Sequence, residues 1–286
     1  MTAVFDPRVC ELGEGPLWHP IREQLFWFDI LSCKLYSRLE GEALEWQFPE
    51  MVSAAGWVSR SELLIASETA LFRFNLETGS RQDICALEAD NPKTRSNDGR
   101  ADPQGGFWIG TMGKSAQPKA GSIYRLYRGE TRKLFNEITI PNTICFAPEG
   151  DRAYFSDTAV RKVMRVNLDH NGWPNAEPVV FLDLSAQGYN PDGAVVDLSG
   201  NIWLAQWGAS RVACYDKHGT FLQAITIGAT QSSCPAFGGP QMKTLFCTTA
   251  AHNMSAQQIV QNPVTGKLFK MQTEQRGQYE HQVILP

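Results

Sequence analysis

One recurrence constrains this chain more than any other feature: a polar residue at a tight entry, a short apolar strand, a turn, and a second apolar strand. It is clearest in Asn190-Pro191-Asp192-Gly193-Ala194-Val195-Val196, where the turn Asp197-Leu198-Ser199-Gly200 leads into Asn201-Ile202-Trp203. It returns at Arg95-Ser96-Asn97-Asp98-Gly99, at Pro141-Asn142-Thr143-Ile144 and at Gly13-Glu14-Gly15-Pro16-Leu17-Trp18. Taking one residue as the head of each unit gives Glu14, Ala55, Asn97, Asn142, Asp192 and Cys234, with spacings of 41, 42, 45, 50 and 42 residues. Intervals of roughly 40–50 residues are those of four-stranded propeller blades. A proline six positions after the head supports the alignment in four units, at Pro20, Pro103, Pro148 and Pro240; Ser61 and Leu198 take that place in the others.

Each unit also carries a segment that alternates apolar with polar residues, such as Lys34–Leu39, Ala70–Asn75, Lys162–Asn167 and Arg211–Asp216. That period of two belongs to a half-buried strand, and Glu77-Thr78-Gly79-Ser80, Asp169-His170-Asn171-Gly172 and Lys217-His218-Gly219 punctuate the strands as turns. No three-turn helix, linker or low-complexity stretch interrupts the pattern. The expected fold is all-β: a six-bladed β-propeller with four-stranded blades around a central channel, forming a single domain over residues 1–286. A β-sandwich with accidental similarity is the alternative.

Composition narrows the function. The formal net charge is -4 with no Lys/Arg-rich run, which argues against nucleic acid or an anionic membrane as partner. No apolar run approaches the roughly 20 residues of a membrane span, and Met1 to Asp6 do not resemble a secretory leader. Seven cysteines without a CxxC pair are expected to be buried free thiols in a reducing cytoplasm.

In a propeller, the heads of the inner strands meet at one mouth of the channel. Glu14, Asn97, Asn142 and Asp192 then form an all-oxygen ring suited to a hard divalent cation, with Ca²⁺, Mg²⁺ or Mn²⁺ favoured and Zn²⁺ still open. Each residue alone could equally cap a turn, since Asn-Asp-Gly and Pro-Asp-Gly are ordinary turn sequences. Four at one register favour the ring: two facing carboxylates repel, and a cation removes that repulsion.

Together, Glu14-Gly15-Pro16-Leu17-Trp18, Arg95-Ser96-Asn97-Asp98-Gly99, Asp102-Pro103-Gln104-Gly105, Trp108-Ile109-Gly110-Thr111-Met112, Pro141-Asn142, Pro191-Asp192-Gly193 and Phe237-Gly238-Gly239 resemble the gluconolactonase/regucalcin (senescence marker protein) family over essentially the whole chain. The resemblance implies one divalent metal, Ca²⁺ first, held by Glu14, Asn142 and Asp192. It implies substrate contacts from Arg95 and Asn97, which moves Asn97 from the metal to the substrate side. Asp192 is then the candidate general base in metal-assisted hydrolysis of a sugar lactone. No Gly-x-Ser-x-Gly elbow offers a serine nucleophile. A small-molecule sugar lactone is the expected partner, and the chain is expected to be a monomer or weak homodimer.

Other positions carry weaker expectations. Gln117 stands where some family members have an acidic residue, in a loop expected to lid the pocket, with Lys114 and Lys119 nearby. Tyr189 and Trp207 are read as packing rather than mouth, and His252 as hydrogen-bonded structure. Asp29 and Asp157 are read as turn carboxylates, Cys234 as a buried thiol, and Trp18, Trp27, Trp57, Trp108 and Trp203 as core. Two further functions compete. One is a non-catalytic cation-binding protein, which would not need Arg95 and Asn97. The other is a propeller hydrolase of phosphotriesters or aryl esters, which would need a channel histidine that none of the five supplies.

Overall fold

The computed structural model describes residues 2–285, so Met1 and Pro286 of the expected 1–286 domain lie outside the described residues. Six four-stranded antiparallel sheets are arranged as blades of a β-propeller. The inner strands are Gly13–His19, Val52–Trp57, Thr94–Ala101, Pro141–Phe146, Asn190–Val196 and Ser232–Gly238, for blades 1 to 6. Each touches the next, and the sixth returns to the first, so the sheets close a ring. The closure uses the chain's start: Ala3–Asp6 pairs with Leu268–Gln272 and supplies the outer strand of blade 6. That strand has no head motif and escapes the sequence pattern. The alternating segments are the third strands of their blades, not the outermost.

Apolar faces of neighbouring blades pack together. Trp27, Trp108 and Trp203 are among the largest fully buried side chains, and Trp18 is buried. Trp57 is an exception to the expected core set: it is half-buried, with Nε1 donating to the Glu280 carbonyl. All seven cysteines are free, but Cys33 and Cys85 are only partly buried, contrary to expectation. Helix is confined to two short 3₁₀ turns and the six-residue segment Ala256–Gln261.

The inner strands are not regular. Each pairing slips in its first half or near its middle, between Glu14 and Leu17, Val52 and Ala54, Ser96 and Gly99, Asn142 and Cys145, Pro191 and Ala194, and Ser232 and Pro235. A bulge leaves residues unpaired and re-aims their side chains. The slips correct the proposed heads. Asn97 and Asp192 are the first bulge residues, Glu14 and Asn142 stand one place before theirs, and Cys234 stands one place late. In blade 2 the bulge residue is Ser53, not Ala55.

Hydroxyls at these bulges tie neighbouring blades. Ser53 Oγ donates to Ser96 Oγ at 2.8 Å, Thr143 Oγ1 to the Asp192 carbonyl at 2.6 Å, and Ser233 Oγ to the Gly13 carbonyl at 2.5 Å. Thr143 holds a φ of 64°, a costly conformation for a β-branched residue that surrounding contacts must enforce.

The far ends of the inner strands are covered by the C-terminal segment. Gln278 Nε2 donates to the carbonyls of Phe146 and Val196, Val283 N to Trp57, and Arg100 pairs with Glu280.

Gly15 shows how close the blades approach at the mouth bearing the bulges: its φ is +52° and an added Cβ would lie 2.2 Å from the Ser53 carbonyl oxygen. Gly15→Ala is expected to cost about 2 kcal/mol and lower Tm by roughly 4–8 °C. Calorimetry checks this; an unchanged Tm contradicts the packing described.

Candidate active site

Glu14, Asn142 and Asp192 come from blades 1, 4 and 5 and line one cavity of about 520 Å³, together with Arg95 and Asn97 of blade 3. The volume falls in the range of small-molecule sites. The three oxygen-bearing residues are 6%, 3% and 5% exposed. Their strands are held from behind. Asp29 accepts from Glu11 N and Leu12 N, fixing the entry to Glu14. Asp157 accepts from Thr139 N and Ile140 N, fixing the entry to Asn142. Asp157 also accepts from Ala159 N and is a turn carboxylate, as expected, whereas Asp29 holds only the distant Glu11–Leu12 backbone rather than a turn of its own.

Asn97 is a connector. Its Oδ1 accepts from Arg95 Nη1 at 2.8 Å, and its Nδ2 donates to Asn142 Oδ1 at 2.9 Å and to the Pro141 carbonyl at 3.0 Å. Both amide hydrogens are therefore used within the protein, leaving only Oδ1 capacity for a ligand. Asn142 Nδ2 donates to Thr158 Oγ1, which donates to the Pro191 carbonyl at 2.7 Å. Arg95, Asn97, Asn142, Thr158 and the Asp192 strand thus form one relay across blades 3, 4 and 5.

A third carboxylate, Asp98, completes the electrostatics and was not singled out by its motif. It is buried, accepts from Ile144 N at 2.7 Å, and is pushed up to about 6, first by burial. Glu14 is pushed up to about 8 by burial and then by the Asp98 charge. Asp192 rises well above the ordinary carboxylate range through burial and then the charges of Glu14 and Asp98. The nearby cation, Arg95, is itself pushed down to about 10 by burial, with Glu14 and Asp192 opposing. Glu14 and Asp192 face Arg95, while Asp98 faces Arg100, which Glu280 also engages, so four buried carboxylates outnumber two buried guanidiniums and desolvation penalises the excess negative charge.

The donor chemistry fits a hard divalent cation: two carboxylates and an amide oxygen, with no soft ligand. No group of three or more His, Cys, Asp or Glu is placed to hold a metal among the described residues. A cation site here would therefore need an amide oxygen such as that of Asn142 beside the carboxylates.

Several weaker expectations are corrected here. His252 lines this cavity, and its Nδ1 is buried without a partner. Its Nε2 lies 3.0 Å from Asn253 Nδ2, so His252 is hydrogen-bonded, as expected, and is also a cavity histidine at the last blade. Trp207 lines the cavity too, whereas Tyr189 packs against the core with Arg211 over its ring at 3.9 Å. The loop after Gly113 leans on the mouth through Lys114, Ser115 and Ala116 rather than Gln117. Gln117 Oε1 accepts from Ser115 N, Lys114 pairs with Glu68, and Lys119 lies 3.9 Å from Glu137. Cys234 is buried beside Gly193, as a small thiol should be.

No helix among the described residues is long and apolar enough to cross a membrane. Comparison with known proteins places this geometry. Over 273 residues the chain is 40% identical to the "Putative sugar lactone lactonase" of Rhizobium meliloti strain 1021, covering 94% of this chain and 92% of that one. It is 33% identical over 274 residues to the L-arabinolactonase of Azospirillum brasilense, covering 93% and 90%. The crystal structure of a calcium-binding protein, regucalcin, from Agrobacterium tumefaciens strain C58 superposes with a TM-score of 0.97 at 40% identity, covering 99% of this chain and 97% of that one. Residues 12–251 match the model of the SMP-30/Gluconolactonase/LRE-like region, and the chain belongs to that family.

Proposed function

We propose that this chain hydrolyses sugar-acid (aldono-) lactones to the free aldonic acids with the help of one divalent cation, Ca²⁺ first among the candidates, in carbohydrate catabolism. The observation that carries the proposal is the meeting of Glu14, Asn142, Asp192, Arg95 and Asn97 on one cavity. Relatives named for sugar lactone, L-arabinolactone and sulfogluconolactone hydrolysis support it.

Glu14, Asn142 and Asp192 would hold the cation. When bound, it supplies Lewis acidity at the lactone carbonyl and lowers the pKa of nearby water. Asp192 takes the proton from the attacking water as the water oxygen bonds to the carbonyl carbon. The ring C–O bond then breaks, and the departing ring oxygen takes up that proton to become the free hydroxyl of the aldonic acid. Arg95, fixed by the Ser96 carbonyl and Asn97 Oδ1, presents positive charge where the carbonyl oxygen gains negative charge. Trp207 offers an apolar face for the sugar ring.

A second reading is a cation-binding protein without turnover, favoured by the calcium-binding regucalcin that superposes on the whole chain. Retention of Arg95 and Asn97 beside the acidic group supports the enzyme, because a simple ion binder gains nothing from a buried guanidinium in the same cavity.

Asp192→Asn is expected to lower kcat/KM for glucono-1,5-lactone by at least about 100-fold, the scale of a lost general base, while Tm moves little. Full retained activity would remove Asp192 from the chemistry. Glu14→Gln is expected to weaken Ca²⁺ binding at least about tenfold through loss of ligand charge; calorimetric affinity equal to wild type would remove Glu14 from the shell.

The raised carboxylates also set a pH dependence. Burial and then the Asp98 charge raise Glu14 from its ordinary 4.5 to about 8 in the folded protein. Between those values the folded state binds more protons, so stability is fully present below pH 4.5 and is lost as pH rises through 8. Tm of chelator-stripped protein should therefore fall from pH 5 to pH 8, and saturating Ca²⁺ should flatten the trend. A Tm that rises across this window in stripped protein contradicts the charge arrangement.

A further inference from the structure

The loop after Thr244–Thr249 of blade 6 separates two cavities, because Asn253 lines both. The first is the candidate active site. The second, of about 310 Å³, is lined by Thr230, Gln231, Met254, Gln258, Gln261 and Asn262 beside Asn253. Its polar lining is a hydroxyl and five primary amides, without a single charge.

Much of that hydrogen-bonding capacity is unspent. Gln231 Nε2 donates to the His252 carbonyl at 3.1 Å, but its Oε1 is buried with no partner. Gln258 Oε1 accepts from Ser255 N and Asn262 Nδ2 donates to the Gly228 carbonyl, leaving Gln258 Nε2 and Asn262 Oδ1 unengaged. The His252 Nδ1 on the active-site wall is likewise buried and unpartnered. Buried polar atoms in a native protein are normally paired, so the Gln231 Oε1 orphan in this lining, beside the exposed amides of Asn253, Gln258 and Gln261, marks capacity for a ligand or water.

The chemistry of the lining selects that ligand. An ion would find no counter-charge, and an apolar group would strand five amides. A neutral polyhydroxylated ring matches them, because an amide offers donor and acceptor side by side to adjacent hydroxyls. We propose that this pocket is a distal sugar subsite, and that the substrate class includes lactones whose acid unit carries a second neutral sugar. The lactone ring occupies the cavity of Glu14 and Asp192, and the appended ring crosses Asn253 to sit among Gln231, Gln258 and Gln261. The inference rests on the lactonase reading above and deepens it.

The test compares the full chain, with Ca²⁺, on glucono-1,5-lactone and on the 1,5-lactones of maltobionic, cellobionic and lactobionic acids. At least one disaccharide lactone is expected to exceed glucono-1,5-lactone in kcat/KM by about tenfold. The Gln261 side chain makes no hydrogen bond among the described residues, so Gln261→Ala should fold normally. It should cut the preference for the disaccharide lactone about threefold to tenfold, the worth of one hydrogen bond. Hydrolysis of glucono-1,5-lactone with no disaccharide lactone preferred overturns the subsite alone. So does a preference that survives both Gln261→Ala and Gln231→Ala. Failure to hydrolyse any of the four overturns the lactonase reading, and the subsite with it.

Discussion

The arrangement turns on negative charge gathered where water is scarce. Glu14, Asp192 and Asp98 are buried together with Arg95 as the neighbouring cation, and burial raises all three carboxylates. A fold retains such an arrangement at a cost, since desolvating charge without full compensation is unfavourable. A divalent cation would balance the charge, and the all-oxygen donors match what hard cations accept. The candidate ligands therefore double as the source of the site's instability when metal is absent.

Propeller closure is what makes the gathering possible. Residues far apart in sequence reach one mouth because the inner strands all begin there, and the bulges turn side chains from the ladder toward the channel. Bulge hydroxyls at Ser53, Thr143 and Ser233 link consecutive blades at the same depth. Asp29 and Asp157 fix the strand entries from behind, and the C-terminal segment covers the opposite end. The floor and sides of the site are thus tied down by these hydrogen bonds, and its rim is formed by the loop of Lys114 and the loop of His252.

The fold was legible because strand periodicity and blade spacing are local, repeated signals. The ring of Glu14, Asn97, Asn142 and Asp192 was legible because the inner-strand heads are polar where a strand would otherwise be apolar, and these four line one cavity; only the family resemblance singled out three of them for a metal. What escaped depends on contacts that no local pattern encodes. A bulge shifts register by a residue without a sequence mark, which is why Ala55 and Cys234 stood in for Ser53 and Ser233. Asp98, inside an Asn-Asp-Gly that looks like a turn, lies within the strand Thr94–Ala101 because blades on both sides bury it. His252 and Trp207 reach the cavity from loop and strand ends whose direction only the closed ring determines. The strand Ala3–Asp6 and the covering segment after Thr273 carry no repeat motif at all.

The most direct measurement is calorimetric titration of Ca²⁺ into stripped protein at pH 7, run in two buffers of different ionisation enthalpy. Burial holds Glu14 and Asp192 above the ordinary carboxylate range, so a cation seated between them should displace protons, and the apparent enthalpy should differ between buffers. That result is lost in Glu14→Gln if the charge cluster is its source. Absence of binding, or binding with the same enthalpy in both buffers, would contradict a cation seated among these buried carboxylates.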